Sequence, residues 1–384
     1  MFFALEAAAK NYDWGTPGAM SGFISGVRSN RPEAELWFGA HPSSQCIILT
    51  DNGEEDFPSW LNSEALNFSL LVKLLAASQP LSIQVHPDSH QARTGFEKED
   101  RLGIDRADPQ RTYQDTSPKP ELIIALSDEF HALWGFVPTA LVEARLSDLE
   151  ASGFAAHALE ILRERASQSI EHFVDWVLSG DESRSVAVSA LESWAQTPRG
   201  ESGVVSGLVN QGLVQKLAGA HPGDPGILFS LVMHYVELKR GEALFVRPGE
   251  VHAYVEGFGL EVMLPSDNVV RAGLTSKHKD SSAFLELANM SSTGLPPMVT
   301  PLKRGNTDTY ANFGAPWEVI GVHDQAEIVL EETSTIVIVE SGSATISGQG
   351  TQRTLDRGNV GFWARESGVL HTTAGSQVWL IRPV

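Results

Sequence analysis

The sequence predicts a mainly β protein built as barrels, with one α-helical block inserted between β-rich regions. Three observations predict this. Before residue 138 and after residue 220, short apolar runs, some strictly alternating with polar residues, are bounded by Pro and Gly, as strands require. From Thr139 to about Lys216 the apolar spacing becomes helical, through Leu141, Leu146, Leu149, Phe154, Leu159, Ile161 and Leu162, then Ile170, Phe173, Val174 and Val177. Gly358 to His371 also echoes Gly241 to His252: a Gly, an apolar run, a turn, and a Val-Leu-His or Val-His ending. That echo reads as a weak repeat of one β-barrel unit. The expected organisation is one barrel unit in two parts, 1–138 and 220–305, a helical insert at 139–219, and a C-terminal barrel at 306–384.

The bulk numbers narrow the function. The chain has 384 residues and a formal net charge of −20. That charge argues against nucleic acid or an anionic membrane as partner. An anionic ligand would need a local basic cluster. Cys46 is the only cysteine, so no intrachain disulfide can form and a reducing cytoplasm fits. Met1 to Glu6 lacks a basic leader, and no apolar run approaches a membrane span. A monomer or weak homo-oligomer is expected.

In chain order, Asn11-Tyr12-Asp13-Trp14-Gly15 is either a packed surface turn or a wall of a polar pocket. Glu35–Gly39 reads as a strand. Phe68 to Val85 is dense in Leu, Val and Ile but is broken by Gln79-Pro80, so it reads as two strands with a turn. Lys73 lies inside that apolar run, either snorkelling to water or pointing into a cavity. The second strand alternates: Leu81, Ile83 and Val85 on one face, Ser82, Gln84 and His86 on the other. Gln84 and His86 would then stand about 7 Å apart along the strand. Residues 88–118 are polar and read as a long loop with room for one short helix. Lys119-Pro120-Glu121 opens another apolar run, with Lys119 and Glu121 on one face.

In the helical block His157 and His172 read as surface or packing residues. The turn-rich Ala220 to Gly226 leads back into strands. A Pro248-Gly249 turn then delivers His252 at the start of a strand, with Tyr254 and Glu256 on its face. In the second copy, Thr335 to Glu340 supplies no Gln/His pair, and His371 reads as structural.

Gln84, His86, Glu121 and His252 each fall on a candidate strand face or strand start. Two imidazoles and a carboxylate suit a divalent ion such as zinc, with the Gln carbonyl as a harder fourth donor. Sequence spacing alone does not bring them together, and polar strand faces turned to solvent remain the alternative. So does a metal-dependent oxygenase on a similar barrel. No phosphate-binding Gly-rich loop and no Gly-x-Ser-x-Gly elbow occurs.

Longer stretches carry a resemblance. Gln79-Pro80-Leu81-Ser82-Ile83-Gln84-Val85-His86-Pro87-Asp88, Lys119-Pro120-Glu121 and Ser266-Asp267-Asn268-Val269-Val270-Arg271-Ala272-Gly273-Leu274-Thr275 resemble type I mannose-6-phosphate isomerases. Asn11 to Gly15 resembles that family's N-terminal motif. The resemblance implies cupin-like jelly-roll barrels with an inserted α-helical domain. It also implies one zinc ion and interconversion of mannose 6-phosphate and fructose 6-phosphate, so a small phosphorylated sugar is the expected partner. It carries over Gln84, His86, Glu121 and His252 as metal ligands, and Arg271 and Lys119 as catalytic residues. Lys277, Ser82, Glu261, Asp267, Lys73 and Trp14 would line the substrate pocket.

One departure stands out. The family pattern Tyr-x-Asp-x-Asn-His-Lys-Pro-Glu appears as Tyr113-Gln114-Asp115-Thr116-Ser117-Pro118-Lys119-Pro120-Glu121. The His, a candidate acid for opening the sugar ring, is Pro118 and cannot transfer a proton. Ring opening would then need another group, a water, or the spontaneous reaction. A non-catalytic sugar-binding or regulatory cupin is the rival that this change would suit.

Overall fold

The computed structural model describes residues 1–197, 207–291, 294–311, 313–349 and 351–384. Strands predominate, the sheets are antiparallel, and the architecture is cupin-like. Among the described residues no helix is long and apolar enough to cross a membrane.

One strand organises the first barrel. His252–Met263 runs for 12 residues and belongs to both walls. Its first half pairs with Glu129–Phe136, and its His252 also faces Gln84. Its second half lies between Leu71–Ala77 and Glu121–Ala125. The change of partner falls at Gly257, whose φ is +136°. A Cβ there would sit 2.6 Å from the Phe130 ring, so this corner requires glycine. Glu35–Gly39 extends the wall beyond Leu71–Ala77, and Val270–Gly273 pairs with Ile83–Val85.

Alternation assigns each face. From Ile83–Val85, Ile83 and Val85 enter an apolar core shared with the helical block. Gln84 points the other way and reaches His252. Ala253 and Val255 likewise join the helical core. On the other wall Val72, Leu74, Leu122, Ile124, Leu260 and Val262 pack outward, leaving Lys73, Glu121 and Glu261 facing in. Each such apolar side chain contributes about 1.5–3 kcal/mol of burial.

Between residues 139 and 220 the structure has the helices Thr139–Ala151, Ala156–Ala166, Ile170–Leu178, Ser183–Ala195 and Gln211–Ala220. Ser169 and Asn210 cap two of them by accepting from the His172 and Leu213 amides. The stretch 198–206 of the expected helical block lies outside the described residues.

Three expectations need correction. Residues 88–118 do hold the one helix allowed for, but it is not short: Ser89–Arg101 runs for 13 residues. Its signal was an overlooked capping box, with Asp88 accepting from the Gln91 amide and the Gln91 side chain accepting from the Asp88 amide. The strand Ile83–Val85 is shorter than the Leu81 to His86 alternation implies, and His86 lies just beyond its end.

The expected first part, 1–138, also does not lie wholly in the first barrel. Phe2–Ala7 pairs with Val360–Trp363 and Cys46–Thr50. The first strands therefore belong to the nine-stranded sheet of the C-terminal region. That sheet packs on the outer face of the first barrel in one continuous apolar layer, with Leu5, Ile48, Ile336, Phe362 and Trp379 against Leu36, Val72 and Leu260. Local alternation shows that a strand has an apolar face; it does not show which sheet completes it.

Candidate functional site

Three neighbouring strands set the site in register. Gln84 pairs with His252 on one side and with Arg271 on the other. On the facing wall Glu121 pairs with Met263, and Lys73 pairs with Glu261 two residues earlier. Side chains of directly paired residues share a face, so two polar rows meet across the barrel interior.

At the meeting point His86, Glu121 and His252 bring ligand-type atoms within 4.8 Å of one another. Both histidines are fully buried. His86 Nε2 lies 3.2 Å from Glu121 Oε1, and His252 Nε2 lies 3.3 Å from Glu121 Oε2.

The tautomers follow from the other ring nitrogens. His86 Nδ1 is 2.7 Å from the Asn268 carbonyl, and His252 Nδ1 is 3.1 Å from the Glu250 carbonyl. A carbonyl only accepts, so each Nδ1 carries a proton, and the neutral form of either ring presents its Nε2 lone pair. Burial, and then the charge of Lys119, push the His86 imidazole down to about 4, so it is neutral near pH 7. Two lone pairs therefore face two carboxylate oxygens, and His86 Nε2 has no hydrogen-bond partner. A cation between them resolves that repulsion, and two imidazoles with a carboxylate form a donor set suited to zinc.

Gln84 completes the cluster. Its Nε2 is 3.3 Å from His252 Nε2, and Ser82 Oγ lies 3.4 Å from its Oε1. Turning the amide over brings the carbonyl oxygen to the cluster side.

The remaining charges surround this centre. Lys119 Nζ is 3.2 Å from Glu121 Oε1, and the Tyr254 hydroxyl donates to Glu121 Oε2 at 3.3 Å. Burial raises the Glu121 carboxyl, but the Lys119 ammonium outweighs it and holds the group well below the carboxylate range. Lys73 Nζ is 2.9 Å from Glu261 and 3.8 Å from Glu35. Burial disfavours the Lys73 ammonium, yet Glu261 and Glu35 more than compensate and keep it charged. Burial pushes the Glu261 carboxyl up. Three buried carboxylates against two ammoniums leave the centre one positive charge short, a balance that a divalent ion reverses.

A cleft of about 570 Å³ opens onto this centre. Trp14, Lys73, Ser82, Gln84, Lys119, Glu121, Glu261, Arg271 and Lys277 all line it. Asn11 to Trp14 form a wall of it, with the Tyr12 and Trp14 rings stacked 5.6 Å apart. The wall is tied down where Ser78 donates to the Trp14 carbonyl.

Arg271 and Lys277 form no ion pair with a carboxylate among the described residues, and each lowers the cost of binding an anion between them. Burial pulls down the pKa of both, and Arg271 adds to the effect on Lys277. Leu274, a buried non-Gly residue at φ +54°, makes the turn that presents Lys277.

Asp267 is the predicted pocket residue placed elsewhere. It is not in the cleft lining, is half exposed, and bonds His41 Nε2 at 3.2 Å. Pro118 also lies outside: it lines a separate apolar cleft with Phe245, Leu264 and Phe313.

Sequence reasoning missed three contributors. Asn268 is fully buried and accepts from the Gln114 and Asp115 amides, while its own amide donates to the Asp115 and Ser117 carbonyls. Asp115 in turn accepts from Ser266 Oγ and the Asp267 amide. This network ties the segment before Lys119 to the segment before Arg271. Glu35 and His221 are the other two. Glu35 had read only as part of a strand and His221 only as a turn residue.

Comparison with known proteins agrees with this geometry. The family model for the catalytic domain of type I phosphomannose isomerase matches residues 2–139. The chain is 31% identical over 378 residues to mannose-6-phosphate isomerase of Escherichia coli K12, covering 93% of each chain. It is 33% identical over 349 residues to the Salmonella typhimurium enzyme, covering 85% and 84%. Among solved structures, a zinc-bound mannose 6-phosphate isomerase matches with a TM-score of 0.85 and 27% identity over the whole of both chains. A variant of phosphomannose isomerase from Salmonella typhimurium matches with a TM-score of 0.86 and 27% identity, again over both whole chains.

Proposed function

The chain belongs to the type I phosphomannose isomerase family, and from that premise we propose that it is a metal-dependent isomerase of mannose 6-phosphate and fructose 6-phosphate working in this cleft. One observation carries the reading: two lone-pair nitrogens aimed at one buried carboxylate, beside a cleft edged by two cations with no carboxylate partner among the described residues.

His86, Glu121, His252 and Gln84 would hold one zinc ion, which supplies Lewis acidity toward the sugar oxygens. Arg271 and Lys277 receive the anionic end of the substrate and offset the net charge of −20. The reaction moves a proton between C1 and C2 of the open sugar through an enediolate. Arg271, on the strand next to Gln84, stabilises the negative charge that develops on O1 and O2. Lys119, in its free-amine form, would take and return the proton. Lys73 holds Glu261 and Glu35 in place. Trp14 and Ser82 shape the wall that excludes water. We also infer a cytoplasmic protein, monomeric or weakly self-associating.

A coupled assay for fructose 6-phosphate tests the proposal. Product should form with zinc, stop on chelation, and return on zinc addition. No product with zinc restored would favour the non-catalytic cupin.

Two further outcomes follow. Asn268→Ala keeps the backbone carbonyl that orients His86 but removes the side-chain bonds that hold it in place, and zinc affinity is expected to fall about ten- to a hundredfold. Competition against a chromophoric chelator measures this, and an unchanged Kd would remove Asn268 from the metal's support.

The second outcome concerns acid. In the zinc-free protein the unfolded chain takes up a proton at the ordinary histidine value near 6.5, whereas native His86 waits until about 4. Between these values the unfolded state binds more protons, so stability is lost as pH falls through that window. This group accounts for roughly 3 kcal/mol over the interval. Urea unfolding at pH 7.5 and 4.5 should show the loss, and His86→Gln should show less of it. Equal slopes in both proteins would refute the assignment.

A further inference from the structure

Proton transfer between C1 and C2 presupposes an open chain, whereas a hexose 6-phosphate rests as a ring. Opening breaks the C1–O5 bond and needs a proton delivered to O5. The cleft wall supplies few groups able to do this near neutral pH. Glu121 is committed to the metal cluster and Lys119, and Glu261 and Glu35 are bound to Lys73. Burial raises the hydroxyl pKa of both Tyr12 and Tyr254. Arg271 and Lys277 face the anion, and Asp13 sits exposed at the lip. His86 and His252 do not line the cleft. His221 does.

His221 follows the last helix of the block, Gln211–Ala220, and its amide closes that helix on the Leu217 carbonyl. Its Nε2 lies 3.1 Å from the Pro80 carbonyl. A carbonyl only accepts, so Nε2 keeps its hydrogen and Nδ1 is the exchangeable site. Nδ1 has no partner among the described residues. Pro80 stands two residues before Ser82, which puts His221 on the same wall as Ser82. Imidazole is also the side chain whose ordinary titration range spans pH 5–8.

We propose that His221 is the acid that opens the sugar ring in this chain, a role that rests on the isomerase reading above. The protonated imidazole gives its Nδ1 proton to O5. The C1–O5 electron pair leaves with O5, which becomes the C5 hydroxyl. C1=O1 forms as the O1 proton passes to water, and neutral His221 takes a new proton from solvent. Pro118, which lines the other cleft, has no part in it.

The test uses the zinc-loaded full chain with His221→Gln, which retains an N–H for Pro80, and His221→Ala. Each variant is first checked for one zinc per chain and an unchanged Tm. Initial rates on mannose 6-phosphate are then followed as enzyme concentration rises. The wild-type rate should stay proportional to enzyme. The variant rates should be at least tenfold lower and should level off at the rate of spontaneous ring opening, because only pre-opened sugar is used. Added imidazole should restore proportionality in His221→Ala.

Variant rates that remain proportional to enzyme without imidazole overturn the proposal, whatever their size. So does full activity in His221→Gln with loss only in His221→Ala, which marks a structural bond to Pro80. A wild type that makes no fructose 6-phosphate instead overturns the isomerase reading itself.

Discussion

Arg271→Ala is expected to lower kcat by about two to three orders of magnitude while zinc content stays at one per chain. Arg271 sits one strand from Gln84 and lines the cleft, yet it bonds no carboxylate among the described residues. A partly buried cation left unpaired is costly to maintain unless its partner arrives with the substrate. Charge appears on O1 and O2 only as the enediolate forms, so the loss should fall on kcat more than on KM. Lys277→Ala, on the exposed turn after Leu274, should mainly raise KM. Steady-state kinetics on both variants separates the two roles. A kcat for Arg271→Ala within a few-fold of wild type would end its assignment.

Glu121→Gln is expected to abolish stoichiometric zinc and to reduce kcat/KM by at least about a thousandfold. The carboxylate is the only anionic member of the ligand cluster, and each of its oxygens faces one imidazole lone pair. An amide of the same shape offers an N–H to one lone pair and an oxygen to the other, so the local geometry no longer demands a cation. Lys119 loses its charge partner in the same step. Metal analysis after dialysis checks the first effect and the coupled assay the second. Retention of one tightly held zinc per chain would place the metal elsewhere.

Much of this site was legible in the chain. Strand alternation placed Gln84 opposite Ile83 and Val85, and the structure sends these two into the helical core and Gln84 to His252. The break at Pro80 and the turn before His252 were equally local. Asp267 shows the limit of carrying a motif over whole: the segment is present, but this side chain turns to His41 at the rim. His221 shows the opposite limit. In the sequence it is one residue of a turn, and only the closure of the helical block against Pro80 makes it a cleft residue.

The sequence by itself determined the strand and helix periods, the donor types available for a metal, and the family they resemble. These depend on residues within a few positions of one another, where backbone geometry sets which way each side chain points. Only the tertiary structure decided that Phe2–Ala7 completes the distant C-terminal sheet, that Asn268 orients His86, and that Pro118 faces away from the sugar cleft. Strand pairing and buried hydrogen bonds join residues far apart in the chain, and their free energy comes from burial that exists only after the barrels close.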